Sequence, residues 1–282
     1  MADPLNRVQT HELMRRHGIR PTHSLGQNFL VDASALTSIV AAAELGSGDL
    51  VLEIGPGLGH LTRLMAAQAS RVIAIEIDRH LLPALEETTA GLENLEIIHA
   101  DAQAVNLTRL IQSWSGPHKL VANLPYYITT PLLMKALTEW PSADRMVLTI
   151  QDEAADRILA TPGQGAYGPL AILCQLYGQL VRQRIIPADA FIPRPHVASC
   201  LLVMTGRPDR PDPVEWPPLV RFLTASFVNR RKKLINVLHS HLSAKRTKEE
   251  VQVAFDQLSL SANARAEELS PEQWLRLFRL LR

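Results

Sequence analysis

The tetrapeptide Asn123-Leu124-Pro125-Tyr126 carries the groups whose types and spacing predict a definite chemistry. The side-chain oxygen of Asn123 and the backbone carbonyl of Leu124 can both accept hydrogen bonds from an exocyclic amino group. Pro125 stiffens the turn, and Tyr126 offers a ring face on which a planar base can stack. The motif therefore predicts methylation of an amino group on a planar ring, such as N6 of adenine. A plain Asn-x-Pro turn is the structural alternative.

Methyl transfer to such an amine depends mainly on orientation. The lone pair of an aniline-like nitrogen is delocalised into the ring, and it must point at the methyl carbon of a sulfonium donor. Two acceptors that hold the amino hydrogens favour a more tetrahedral nitrogen. Positioning then supplies most of the catalysis. No strong general base is needed, because the proton becomes acidic once the nitrogen is alkylated.

A glycine turn at Gly55, Gly57 and Gly59 follows a predicted strand and opens a predicted helix. Glycines there let the backbone turn sharply and approach a ligand closely. The spacing is GxGxG rather than the GxGxxG of dinucleotide sites, which disfavours NAD. A purely structural turn is equally consistent with the glycines alone, but ligands bind where such strands end.

Two acidic residues follow the next two predicted strands. Glu76 stands roughly twenty residues after the glycine turn, where a carboxylate can accept both ribose hydroxyls of an adenosyl group. Asp78 is better explained as a helix cap. Asp101 can accept the amino group of the cofactor's adenine, with the Ala102 amide reaching a ring nitrogen, although an ordinary N-cap would also place an aspartate here. The pattern predicts S-adenosylmethionine as the cofactor.

Phe191 lies in the segment Phe-Ile-Pro-Arg-Pro-His-Val. Rigid prolines could hold this aromatic ring out on a loop, where it would sandwich an extruded base against Tyr126. The alternative is a hydrophobic plug between edge strands.

The basic run Arg230-Arg231-Lys232-Lys233 is predicted at the start of a C-terminal helix. Because the predicted reaction acts on a nucleic-acid base, the run indicates a site that binds RNA phosphates. The alternative is a solvent-exposed basic surface without a ligand, which is the usual role of such runs. Four histidines lack partners at metal-ligand spacing, and we predict no metal; they are His11, His23, His239 and His241.

Short apolar runs alternate with amphipathic stretches from Leu50 to Ile150, which predicts a parallel sheet covered by helices. Two later β-like runs can add an antiparallel edge hairpin, giving an α/β, Rossmann-like seven-stranded sheet of the class I methyltransferase type. The predicted strands are Leu50–Ile54, Arg71–Ile75, Leu95–His99, Lys119–Ala122, Met146–Ile150, Leu180–Ile186 and Ala198–Met204. The predicted helices between strands are Leu58–Ala69, Arg79–Thr89, Leu107–Ser113 and Pro131–Trp140.

The chain is predicted to contain two domains. Residues 1–206 form the methyltransferase domain, with an N-terminal helical extension, and residues 207–282 form a small all-helical domain whose basic charge suits RNA binding. A proline-rich linker, Gly206–Pro218, separates them. The predicted C-terminal helices are Leu219–Phe227, Leu234–Leu242, Lys248–Leu258 and Pro271–Leu281.

Composition supports a folded protein with a polyanionic partner. The 282 residues are 46% hydrophobic with a net charge of +1. Residues 1–206 carry 15 Lys and Arg against 19 Asp and Glu, whereas residues 207–282 carry 14 against 9. The basic end is consistent with phosphate binding, or with an incidental imbalance. The polar N-terminus, the lack of long apolar runs and only two cysteines predict a cytoplasmic protein that does not enter a membrane. No heptad pattern indicates an obligate oligomer, and we expect a monomer with no obligate protein partner.

With the segment Ser24-Leu25-Gly26-Gln27-Asn28-Phe29-Leu30 added, the chain resembles the ribosomal RNA adenine dimethyltransferase family. The resemblance spans Leu25 to Val203 and continues at Ala225–Phe227 and the basic run. It implies that Gln27, Asn28 and Leu30 join the cofactor site, with Asn28 and Leu30 at the methionine end of S-adenosylmethionine. It also implies that Gly55, Glu76, Asp101 and Asn123 complete this site.

The resemblance further implies a substrate. Two adjacent adenosines in a hairpin loop near the 3′ end of small-subunit rRNA would each receive two methyl groups, within a late pre-30S assembly intermediate. The helical domain would help to dock on that particle. The chain departs from the family pattern at His196 and Ala198, where a lysine and an aspartate are common, and at Gln151-Asp152-Glu153, where an acid replaces a lysine. These changes bear on RNA affinity more than on the reaction type.

Three other functions compete with this interpretation. A large-subunit rRNA methyltransferase of the antibiotic-resistance type shares the cofactor motifs and an Asn-x-Pro-Tyr. A non-catalytic assembly or transcription factor could keep the fold as an RNA-binding platform, although Glu76, Asp101 and Asn123 argue against lost catalysis. An NAD-dependent oxidoreductase is disfavoured by the glycine spacing.

Overall fold

The computed structural model describes residues 5–125, 128–242 and 246–282. The strands are β1 Phe29–Leu30, β2 Leu50–Ile54, β3 Arg71–Glu76, β4 Leu95–His99, β5 His118–Asn123, β6 Arg145–Gln151, β7 Gly178–Ile186, β8 Phe191–Ile192 and β9 Ser199–Gly206. The helices are α1 Arg7–Arg16, α2 Ala33–Ala43, α3 His60–Ala66, α4 Leu82–Thr88, α5 Leu107–Ile111, α6 Thr129–Glu139, α7 Asp152–Ile158, α8 Pro169–Tyr177, α9 Trp216–Ser226, α10 Leu234–Leu242, α11 Lys248–Gln257 and α12 Pro271–Leu281.

A seven-stranded sheet forms the centre of the fold, with strand order β4-β3-β2-β5-β6-β9-β7. Strands β2 to β6 are mutually parallel, and β9 runs antiparallel to both β6 and β7. The central strands are mainly apolar, and β2 is buried along its whole length and β6 except at its two ends, as parallel sheets covered by helices require. The predicted α/β class and the antiparallel edge hairpin are confirmed. The parallel strands place the predicted site residues at one edge, because their carboxyl ends lie together.

A second, two-stranded sheet was not predicted. Strand β1 pairs antiparallel with β8, so that Phe29 faces Ile192 and Leu30 faces Phe191. Two-residue strands give no periodic signal, and this pairing joins segments far apart in the sequence. It fixes the segment that precedes α2 next to the glycine turn: a Cβ atom added to Gly57 would lie 3.1 Å from the Phe29 ring.

The prediction that residues 216–218 belong to the linker is wrong. Helix α9 begins at Trp216 and carries Pro217 and Pro218 in its first turn. Proline is compatible with a first helical turn, because the N–H that it lacks has no partner inside the helix there. The indole N–H of Trp216 donates to the carbonyl of Pro211, at 3.1 Å, which holds the preceding segment against the helix.

The C-terminal helices share a hydrophobic core with the sheet. This core runs without a break from the strands through α6 and α8 to Trp216, Phe255 and Trp274. The Tyr167 hydroxyl donates to the Leu269 carbonyl at 2.8 Å, which ties the loop before α8 to the end of the chain. The boundary at residue 206 stays a prediction. Among the described residues, no helix has the length and apolarity that crossing a membrane requires.

Candidate active site

A cavity of about 240 Å³ lies at the carboxyl ends of β2, β3 and β5 and beside the loop that follows β4. The segment before α2 closes one side of it. All residues predicted to bind the cofactor line this cavity: Gln27, Asn28, Leu30, Gly55, Gly57, Glu76, Asp101, Ala102 and Asn123. Leu124 and Pro125 also line it, whereas Tyr126 lies outside the described residues. The fold thus brings the separate motifs to one place.

The glycine turn adopts left-handed backbone conformations. Gly55 has φ 72° and Gly57 has φ 58°, values that favour glycine. The N–H of Gly57 points at the carboxyl group of Glu76 and donates to its Oε2 atom at 3.1 Å. The turn and the end of β3 are therefore held together by one side chain.

Glu76 is buried at the cavity wall, with 4% of its surface exposed. Its second oxygen, Oε1, accepts from the N–H of Asp78 at 2.9 Å, so both oxygens have a fixed orientation. Burial raises the pKa of Glu76, and the two backbone donors oppose that rise. Asp78 caps the following turn by accepting from the N–H of His80, and it also accepts from the Gln27 side chain at 2.7 Å. Gln27 thus links the N-terminal segment to the end of β3.

The Asp101 carboxylate can act both as a local backbone cap and as an acceptor for a ligand, the two roles considered for it from sequence. One oxygen, Oδ1, accepts from the N–H of Gln103 at 2.8 Å, which is a local cap. The other carboxyl oxygen accepts no hydrogen bond from the residues that the structure describes, and the side chain is exposed beside the cavity. Capping therefore leaves one carboxylate oxygen able to accept a hydrogen bond from a ligand. Ala102, next to it, is buried.

The amide of Asn123 is oriented by the N-terminal segment. Its Nδ2 donates to the Asn28 carbonyl at 3.0 Å, which turns Oδ1 into the acceptor left for a ligand. The Leu124 N–H donates to the Thr149 carbonyl at 3.0 Å and fixes the backbone of the turn. The carbonyl of Pro125 accepts from the N–H of Ile128 at 3.2 Å, at the start of α6. The turn that carries the predicted acceptors is thus held on both sides.

Phe191 does not lie on the outside of a loop, which corrects the expectation for this residue. Only 1% of its surface is exposed, and its ring packs in a core with residues such as Leu36 and Ile39. The pairing of β8 with β1 directs the Phe191 ring inward, in agreement with the alternative that this residue is a hydrophobic plug. In this conformation the ring is not part of the cavity wall, and base stacking by Phe191 stays a prediction that requires the loop to move.

The basic run lies in the turn before α10, and its four members differ. The guanidinium of Arg230 is half-buried, and it donates to the Glu267 carboxylate at 3.0 Å and to the Gly165 carbonyl at 2.9 Å. Arg231, Lys232 and Lys233 are exposed. Arg230 therefore joins two loops, and the other three cations face solvent.

The two departures from the family pattern lie together. The N–H of Asp152 donates to the carbonyl of Ala198 at 3.2 Å, and the Asp152 carboxylate forms an ion pair with Arg182 at 3.2 Å. His196 is exposed on the same connection between β8 and β9. The acid at position 152 thus has a cationic partner within the chain.

Glu53 and His60 line the cavity but were not predicted as site residues. Glu53 is buried at the end of β2 and accepts from the Thr62 hydroxyl at 2.6 Å. Desolvation raises the pKa of Glu53 to about 8, so the carboxyl group is mainly protonated at neutral pH. A carboxylate inside an otherwise apolar strand was the sequence signal for Glu53.

We expect Glu53→Gln to stabilise the protein at neutral pH and above. The unfolded chain loses the proton of this group near pH 4.5 and the folded chain near pH 8, so the free energy of unfolding falls as pH rises between these values. Glutamine resembles the protonated carboxyl and removes this loss, roughly 3 kcal/mol at pH 7. Urea unfolding between pH 4 and 8 checks this, and parallel pH profiles for the two proteins would contradict it.

A family model described as ribosomal RNA adenine dimethylase matches residues 19–282. The chain belongs to the ribosomal RNA adenine dimethylase family. Its sequence is 42% identical to "Ribosomal RNA small subunit methyltransferase A" of Moorella thermoacetica, over 97% of this chain and 96% of that protein. It is 39% identical to the protein of that name from Lactiplantibacillus plantarum, over 98% of this chain and 95% of the relative.

Solved structures have the same architecture. A dimethyladenosine transferase from Plasmodium falciparum superposes with a TM-score of 0.73 at 24% identity, over 88% of this chain and 95% of that one. The 23S rRNA methyltransferase ErmE superposes with a TM-score of 0.64 at 27% identity, over 90% and 99%. The predictions of family, fold, enzyme class and cofactor are confirmed: the chain is an S-adenosylmethionine-dependent rRNA adenine dimethyltransferase.

Proposed function

We propose that this rRNA adenine dimethyltransferase acts on the small subunit, at N6 of two adjacent adenosines in a hairpin loop near the 3′ end of its rRNA. The substrate would be a pre-30S particle in the cytoplasm, and the enzyme would act as a monomer. The names of the relatives support the small subunit. The observation that carries the chemistry is the oriented turn at Asn123 and Leu124, which lies beside the glycine turn in one cavity.

The cavity fits the cofactor in the chemistry of its donors and acceptors. Glu76, at the end of β3, would accept the ribose hydroxyls, and the second carboxylate oxygen of Asp101 would accept the adenine amino group. The buried side chain of Leu30 and the backbone of Asn28 would contact the methionine end. When bound, S-adenosylmethionine supplies an electrophilic methyl group on a sulfonium.

The residues at the end of β5 would orient the nucleophile. Oδ1 of Asn123 and the carbonyl of Leu124 accept the two amino hydrogens of adenine, so that the N6 lone pair points into the cavity. The Asn28 carbonyl keeps the Asn123 amide from rotating, at 3.0 Å from its Nδ2. These fixed acceptors also favour the positive charge that develops on N6, which is where the rate enhancement arises.

Labelled-methyl transfer to unmethylated small and large ribosomal subunits, followed by nucleoside mass spectrometry, tests the substrate. We expect dimethyladenosine on small-subunit rRNA alone. The similarity to ErmE supports one second candidate, methylation of large-subunit rRNA, and label on that RNA would select it. Absence of label on both subunits would contradict both enzymatic proposals.

The exposed cations of the basic run would bind phosphates of the particle. We expect the triple substitution of Arg231, Lys232 and Lys233 by glutamine to weaken binding and to reduce the slope of log affinity against log salt by about 2 to 3, because each lost phosphate contact removes nearly one unit. Filter binding at several salt concentrations measures both quantities.

A matched control neutralises three exposed cations elsewhere in residues 207–282, namely Arg221, Lys248 and Arg276. This control should leave the salt slope nearly unchanged. Equal slopes for the test variant and the wild-type protein would show that the basic run is only solvated. Arg230 is left intact in both variants, because its ion pair with Glu267 makes it part of the fold.

A further inference from the structure

A chain of hydrogen bonds links helix α1 to the cavity wall. His60, the first residue of α3, is buried with 4% of its surface exposed, and it lines the cavity. Its Nε2 atom lies 2.8 Å from the hydroxyl oxygen of Thr10, which is fully buried on α1. The Thr10 hydroxyl in turn lies 2.8 Å from the carbonyl of Asn6, the cap of that helix. Neither the proposed methyl transfer nor the proposed cofactor contacts of Glu76 and Asp101 involve this relay.

The relay favours one position for the proton of the His60 ring. A threonine hydroxyl has one hydrogen, and Thr10 donates it to the carbonyl of Asn6. With that hydrogen donated, the Thr10 oxygen is left as an acceptor, which favours the imidazole tautomer that carries its proton on Nε2. Burial lowers the pKa of His60 to about 4, with a further contribution from Arg63, so the ring is neutral at physiological pH. In the tautomer with its proton on Nε2, Nδ1 is a bare acceptor.

The position of His60 limits what Nδ1 can bind. The adenosyl half of the cofactor has its donors, the ribose hydroxyls and the adenine amino group, assigned to Glu76 and Asp101 at the ends of β3 and β4. His60 lies elsewhere on the wall, at the start of α3 directly after the glycine turn. The donor that remains on S-adenosylmethionine is the α-ammonium group of its methionine half.

We propose that Nδ1 of His60 accepts a hydrogen bond from the α-ammonium group of S-adenosylmethionine, and that Thr10 positions this acceptor by fixing the imidazole tautomer. Helix α1 thereby becomes part of the cofactor site without touching the cofactor. The inference rests on the cofactor placement under the proposed function. It predicts discrimination in favour of ligands that carry the amine.

Calorimetric binding of two ligands to the full chain tests the contact. The ligands are S-adenosylhomocysteine and its deamino analogue, which keeps the carboxylate and the adenosyl group. We expect His60→Phe to reduce the preference for the amine by about 10- to 100-fold, because a hydrogen bond to a charged group is lost. Equal losses for the two ligands would overturn the proposal, since His60 would then only pack against the cofactor.

Thr10→Val removes the hydroxyl that fixes the tautomer, and we expect it to reduce the same preference by a smaller factor. Thr89→Val is the matched control, because the Thr89 hydroxyl is also buried and also donates to the carbonyl four residues earlier, at 2.7 Å. This control should leave the preference unchanged. An equal change in both variants would mean that the effect of Thr10 is structural.

Nitrogen NMR of the wild-type protein without ligand gives a test that needs no variant. The chemical shifts of the two ring nitrogens distinguish a protonated from a bare nitrogen, and we expect His60 to carry its proton on Nε2. A proton on Nδ1 would overturn the proposal, because the ring would then present a donor to the cavity. If the wild-type protein binds neither ligand and transfers no methyl group, the cofactor placement under the proposed function is wrong. The NMR result still decides which tautomer His60 adopts.

Discussion

Replacing Asn123 by alanine should lower the rate of methyl transfer by about a hundredfold or more, the scale typical of losing one oriented polar group at a reacting centre. The substitution removes the Oδ1 acceptor that holds the adenine amino group. It also removes the bond from Nδ2 to the Asn28 carbonyl. Single-turnover transfer to unmethylated small subunits at saturating cofactor measures the effect on the chemical step.

The fold should survive this substitution. Asn123 is half-buried at the end of β5, and the backbone of the turn keeps its bond from the Leu124 N–H to the Thr149 carbonyl. We expect the free energy of unfolding to change by about 1 kcal/mol, the usual value for one hydrogen bond. Asn236→Ala, at an exposed position of α10, is the control for the same chemical change away from the cavity. Normal turnover in Asn123→Ala would refute catalysis by positioning.

The large sheet could be predicted from sequence, because its central strands are mainly apolar runs bounded by turn residues. Strand β2, Leu50–Ile54, was predicted with the bounds that the structure has. The pairing of β1 with β8 could not be, since two residues carry no period and their partners are distant in sequence. Helix α8 was also missed, because a short buried helix is apolar on most sides and lacks a polar face.

At the site, the sequence located the strand ends and the structure determined the state of each group. The spacing of Glu76 after the glycine turn was sufficient to place it in the cavity. The raised pKa of Glu53 and the tautomer of His60 depend on burial and on partners from other elements, such as Thr10. Tertiary contacts also decide the positions of Phe191 and Arg230. Phe191 was expected on an exposed loop but is buried, and Arg230 was expected to bind phosphate but is paired with Glu267.

Glu76→Ala should weaken cofactor binding by about a hundredfold or more, because two hydrogen bonds to a charged acceptor are lost together. The substitution also leaves the Gly57 and Asp78 N–H groups without their carboxylate partner, so the glycine turn loses its fixed shape. Calorimetric titration with S-adenosylhomocysteine measures the affinity. Glu93→Gln, at an exposed carboxylate after α4, is the control and should bind normally.

Glutamine at position 76 should not restore binding. Both carboxylate oxygens accept from backbone N–H groups, and an amide would set its NH2 against one of these donors. Burial raises the pKa of Glu76, whereas hydroxyl donors favour its ionised form, so the affinity of the wild-type protein should fall as the pH is lowered through that pKa. The variants should lose this pH dependence, because neither side chain titrates. Wild-type affinity in Glu76→Gln would mean that cofactor binding needs neither a carboxylate acceptor for the ribose nor the carboxylate brace of the glycine turn.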